Sequence, residues 1–172
     1  MNTVTTTAVE SKSGNGNKKI LSIVQIVLLF TISILPFIEG MFTWHAYQQL
    51  GSWFSKQTMS LSNLMTTQEI GSGPVSFWAF YIVLVGMVAY CVVNLFVELP
   101  FMNKKAMIAI PSVLLGLGAL MVFTANAHSN SYKYMGLTRY VSVSAEFLAY
   151  IFLVLIAAVL VMELYKQFKM ND

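Results

Sequence analysis

Four runs of this chain are apolar at nearly every position, and polar stretches of unequal length separate them. The runs are Ile20–Ile38, about Val75–Val97, about Ala106–Ala125 and about Val141–Met162. Each is close to the roughly 20 residues that cross a hydrocarbon core about 30 Å thick at about 1.5 Å per residue. They are apolar on almost every face, which distinguishes spans from amphipathic surface helices. The period-two alternation of membrane-barrel strands is missing. The pattern therefore predicts an all-α membrane protein, a bundle of four antiparallel transmembrane helices.

The polar segments divide the chain further. Residues 1–19, MNTVTTTAVESKSGNGNKK, lack aromatic residues and read as a disordered cytoplasmic tail. The apolar run after them exceeds the usual signal-peptide core, and no A-x-A-like site follows it. Residues 20–165 form the predicted four-helix domain, and residues 166–172 a second cytoplasmic tail. Loop 39–74 is long, and the connection ELPFMNKK is short enough to make the second and third helices antiparallel neighbours.

Charge gives these segments a direction. Lys12, Lys18, Lys19, Lys104, Lys105, Lys166 and Lys169 fall on one side of the predicted membrane, and Lys56, Lys133 and Arg139 on the other. The positive-inside rule then places both termini in the cytoplasm. Loop 39–74 and the segment around residues 126–140 face outward. The lysine bias points to a bacterial cytoplasmic membrane. Only 10% of the residues are charged, against about 25% in soluble domains. No basic stripe with base-stacking aromatics is present, which argues against nucleic acid. The single cysteine, Cys91, excludes an internal disulfide and a CxxC redox pair, and reads as a small buried apolar residue.

The stretch PFIEGMFTWHAYQQLGSW, residues 36–53, is where the first span meets the outer surface. Pro36 ends or kinks the helix, Glu39 reaches water, and the aromatics anchor at the interface. Apolar residues between Phe37 and Phe54 recur at three and four, the spacing of a helix lying on the membrane. A short sheet over Thr58–Met65 is the lesser option. Gly71, Gly73 and Pro74 close the loop and restart a helix. Four spans, inner termini and a large first outer loop resemble the claudin-like tetraspan layout. The fragment LGSW, Leu50–Trp53, with Trp44 upstream, is similar to the tryptophan-bearing first loop of claudins. Claudin loops also carry a cysteine pair, which this chain lacks, so the resemblance supplies a layout and no functional residue.

Candidate chemistry is sparse. No nucleophile–base pair, phosphate-binding glycine loop or paired carboxylate motif is visible, so no enzymatic activity and no cofactor is expected. Trp44, Tyr47, Trp53 and Phe54 are the candidate partner-binding residues of the outer loop. Glu39, His45, His128, Arg139 and Glu146 are expected to gather in a polar cluster at the outer mouth. Glu146 reads as lying one turn inside the fourth span, as a structural partner of Arg139 or a proton or cation site. The leading expectation is a non-enzymatic accessory, immunity-type or partner-binding membrane protein. Its partner would be another membrane or extracytoplasmic protein, or a second copy. The alternatives are an oligomeric ion or proton conductor using Glu146, and a small metal or haem protein using His45 and His128 with Met41 or Met135. Gln25 and Asn94, near the inner helix ends, are expected to bond across helices. Ser112, Gly116 and Gly86 mark faces for close packing.

Overall fold

The computed structural model describes residues 6–48, 54–67, 70, 73–96 and 104–169. Four of its helices are long and apolar enough to cross a membrane: α1 (Thr6–Ile34), α3 (Gly73–Phe96), α4 (Lys104–Asn126) and α5 (Phe147–Lys169). A short helix, α2 (Leu61–Thr67), lies between the first two. The fold is not all-α, however. Strands β1 (Phe42–Gln48), β2 (Phe54–Met59), β3 (Ser129–Tyr134) and β4 (Leu137–Ala145) form one antiparallel sheet in the order β2-β1-β4-β3.

The long helices pack in a ring, with α1 and α4 each against both α3 and α5. Their buried residues fall in stripes at the three-and-four spacing of a helix face. On α1 these are Ser22, Gln25, Leu29 and Ile32; on α5 they are Phe152, Ile156, Val159, Glu163, Lys166 and Gln167. The other faces carry exposed Val, Ile and Phe, as expected for helices whose solvent is lipid. Helix α1 also extends through residues 6–19, which composition alone reads as disordered. A helix already nucleated by an apolar span propagates outward at little cost.

Helix α1 ends as Pro36 requires. A 3₁₀ turn, Leu35–Phe37, follows it. The Ser33 carbonyl accepts a hydrogen bond from the Tyr81 hydroxyl at 2.8 Å, satisfying one of the carbonyls that a helix end leaves open. Gly40 then turns the chain at φ +93°, a conformation other residues rarely adopt. The expected interfacial helix over residues 37–54 does not form beyond this point. Phe42, Trp44 and Ala46 alternate with Thr43, His45 and Tyr47, so the segment also has period two, and β1 has a strand partner on each side. Phe, Thr, Trp and Tyr favour that pleated setting. The lesser option, a sheet over Thr58–Met65, is also corrected: β2 stops at Met59, and α2 begins at Leu61 under a Ser60 cap, whose Oγ accepts from the Asn63 amide at 3.2 Å.

The fourth span is displaced as well. Val141–Ala145 belongs to β4, and α5 begins at Phe147. The alternation Val141-Ser142-Val143-Ser144 explains this, because both valines are buried and both serines lie on the other face. Strands β3 and β4 are joined by Met135 and Gly136, both at positive φ, the geometry of a type I′ hairpin turn. Pairing of β1 with β4 brings the segments after α1 and after α4 to the same end of the helices. The connection 97–103 lies outside the described residues.

The expected packing glycines are replaced by another. Ser112, Gly116 and Gly86 face outward, and a Cβ on either glycine would meet nothing within 4 Å. Gly118 is the close approach: a Cβ there would lie 2.8 Å from Ile156 Cδ1 and 3.5 Å from Phe152 Cε1. Gly118→Leu should therefore destabilise the protein by about 1–3 kcal/mol through overpacking, while Gly116→Leu is tolerated. Thermal unfolding of both variants in mild detergent checks this, with a lower midpoint expected for Gly118→Leu alone.

Candidate functional site

The sheet has two distinct faces, because successive residues of a strand point to opposite sides. Phe42, Trp44 and Ala46 of β1, Val141 and Val143 of β4 and Met59 of β2 share one face by register. Phe42, Met59 and Val143 belong to the core, with Trp44 packed against it. The other face carries Thr43, His45 and Tyr47, their partners Ser144, Ser142 and Tyr140, and Thr58, Lys56 and Phe54 of β2.

On that open face three aromatics lie side by side across β2, β1 and β4. Tyr47 pairs with Phe54 on one side and Tyr140 on the other. The Tyr47 and Tyr140 rings stack at 5.2 Å with 18° between planes. Phe54 is 64% exposed and Tyr47 45%. Hydroxyls of Thr43, Thr58, Ser142 and Ser144 occupy the same face. The four candidate partner-binding residues are thus divided. Tyr47 and Phe54 are presented, Trp44 is turned into the core, and Trp53 lies outside the described residues. Tyr140 joins the first two through strand pairing alone, which no local pattern reveals.

The five residues of the expected polar cluster are similarly dispersed. Glu39 is exposed in the turn after α1. His45 Nε2 lies 3.3 Å from Ser144 Oγ on the open face. The backbone of His128 is tied to Val143 ahead of β3. Arg139 sits on the opposite face in register with Gln48 and Tyr132. Glu146 lies one residue before α5, not one turn inside it, because β4 occupies the preceding residues. Its Oε1 accepts from the Thr43 hydroxyl at 2.5 Å, and its backbone N–H donates to the Met41 carbonyl at 2.9 Å. Met135 is at the exposed hairpin tip. Among the described residues, no three of His, Cys, Asp and Glu come together as a metal-binding group.

At the end away from the sheet, a carboxylate outside the expected span is fully buried. Glu163 Oε1 accepts from Tyr90 Oη at 2.9 Å and Gln167 Nε2 at 2.7 Å. Its Oε2 accepts from Gln25 Nε2 at 3.2 Å and pairs with Lys166 Nζ at 2.8 Å. All four acceptor positions of the carboxylate are thereby used. Gln25 comes from α1 and Tyr90 from α3, while Gln167 Nε2 also lies 3.0 Å from Met107 Sδ of α4. Lys166 is buried too, bonded to Ser22 Oγ at 3.4 Å, and lies within α5, where the cytoplasmic tail is expected to begin. Asn94 donates to Tyr90 Oη within α3 at 3.2 Å, while Gln25 does bridge helices as expected. Cys91 is buried against Gln25 Oε1 at 3.8 Å.

Glu163 stands one residue past the apolar run, which ends at Met162, and so is not visible as part of the span. The helical register of Phe152, Ile156 and Val159 continues onto Glu163 and Lys166, and would have placed both on the buried stripe. The charge-balanced, fully bonded arrangement ties four helices together and leaves no carboxylate oxygen for a ligand. No family model, curated protein or solved structure matches this chain.

Glu163→Gln leaves Lys166 buried beside a neutral amide and should cost about 3–5 kcal/mol, the penalty for removing one member of a buried pair. Combining it with Lys166→Met should recover most of that loss. Thermal unfolding of the single and double variants in detergent reads both effects.

Proposed function

We propose that this multi-pass protein is a non-enzymatic component of the cytoplasmic membrane that holds its sheet outside as a docking platform for another membrane or extracytoplasmic protein. The observation that carries the reading is the outward row Phe54–Tyr47–Tyr140. Aromatic side chains dominate the energetics of protein interfaces, being large and carrying little rotamer entropy to lose. Here they are mounted on three hydrogen-bonded strands, so little further ordering opposes binding. The neighbouring hydroxyls supply a polar rim. In this reading the helices form an antiparallel bundle with both termini inside, which the lysine distribution supports.

Two experiments test the proposal. Topology reporters fused at Gly14 and Asp172 should be active inside, and one inserted at Ser131 outside; the reverse pattern would rule out the outward platform. A photo-crosslinking residue in place of Phe54 should give one discrete protein adduct in cells. Tyr47→Ser with Tyr140→Ser should reduce that adduct at least about thirtyfold, the scale of losing an aromatic hot spot. An adduct equally strong in the double variant, or shared with a probe at lipid-exposed Val85, would remove the basis for the platform.

A further inference from the structure

A cleft of about 460 Å³ opens where the sheet meets the start of α5. Thr43, Lys56, Thr58, Glu146, Phe147 and Leu148 contribute to its lining. Its position follows from the fold: Glu146 is the last residue before α5, and Thr43 lies just beyond the end of the α1 span. The cleft therefore sits where two spans leave the hydrocarbon, at the depth of lipid headgroups. It has one cation, one anion, two hydroxyls and an apolar edge, with Phe147 78% exposed.

The two charges do not neutralise each other. Lys56 and Glu146 both line the cleft and form no ion pair with each other. Thr43 holds one oxygen of the Glu146 carboxylate, and such a group has capacity for further donors. The set matches a molecule that carries a primary ammonium and a phosphate a few bonds apart and continues into hydrocarbon.

We propose that this cleft binds the headgroup of an ethanolamine phospholipid. The ammonium donates to Glu146, the phosphate accepts from Lys56 and Thr58, and the acyl chains run along Phe147 and the α5 surface. Charge-assisted hydrogen bonds of this kind are about twice as strong as neutral ones. A carboxylate also selects a primary ammonium over a choline headgroup, which has no N–H to donate. An anionic glycerol headgroup is disfavoured by the same carboxylate. The inference rests on the membrane reading of the four helices and is independent of any protein partner.

Native mass spectrometry of the full chain, released from micelles containing equimolar dioleoyl phosphatidylethanolamine, phosphatidylcholine and phosphatidylglycerol, tests it. The wild-type protein should retain the ethanolamine lipid about tenfold over the other two, the size of one charge-assisted hydrogen bond. Glu146→Gln should abolish that preference, and Lys56→Gln should weaken retention of all three. Equal retention of the three lipids by wild type would overturn the proposal. So would a preference that survives Glu146→Gln, and the wild-type comparison decides even if a variant fails to fold. Soluble O-phosphoethanolamine and inorganic phosphate distinguish the source of the headgroup. Neither should displace the lipid at millimolar concentration, and displacement by either would refute a lipid ligand.

Discussion

A peptide group in hydrocarbon must find its hydrogen-bond partner within the protein. Within residues 16–34, 73–96, 105–126 and 147–168 that partner lies four residues away, and the backbone is α-helical. Past Gly40 and past Asn126 the requirement relaxes, since water and other strands become available. There the backbone bonds become non-local: β1 pairs with β4, a segment about a hundred residues distant. The same pairing orders the helix ends. The Ala145 amide donates to Asn126 Oδ1, and the Glu146 amide to the Met41 carbonyl, so the end of α4 and the turn after α1 are both tied to the approach to α5.

Side-chain polarity is divided between the two ends on the same principle. At the far end, polar groups are drawn inside and consume one another. The Glu163 carboxylate is matched by Lys166 one turn later and by donors from α1, α3 and α5, so the energetic penalty of a charge among helices is offset locally. At the sheet end, the hydroxyls of Thr58, Ser142 and Ser144, with His45, Lys56 and Glu146, remain at or near the surface. The inward group holds the helices together; the outward group is available to other molecules.

That asymmetry is why the proposed activities belong to the sheet end. The open sheet face and the cleft beneath it are adjacent but chemically different. One is a row of aromatic rings far from the helix ends, suited to another protein. The other is an amphipathic recess beside the start of α5, with Thr43 on its wall and the first residue of α5 at its edge. Both exist because β1 contributes alternate residues to each face: its inward Phe42 and Trp44 anchor the strand, while on the other face Tyr47 is exposed and the buried Thr43 holds Glu146.

The number of spans and their approximate positions were legible in the chain because lipid solvation acts on each apolar segment independently of the rest. Pro36 as a helix end and Gln25 as a bridging amide were legible for similarly local reasons. The sheet was not. Residues 41–47 fit both a helical and an alternating pattern, and the presence of β2 and β4 decided between them. VSVS reads as part of an apolar run until β1 lies beside it. The Glu163–Lys166 pair looks like the solvated edge of a span until Gln25, Tyr90 and Gln167 surround it. Tyr140 becomes a neighbour of Tyr47, and Lys56 and Glu146 come to line one cleft, only when distant segments are brought together. The sequence by itself determined where the chain can cross a bilayer, since that depends on the transfer energy of each residue. Tertiary structure decided which polar groups are satisfied and which are presented, since that depends on partners far apart in the chain.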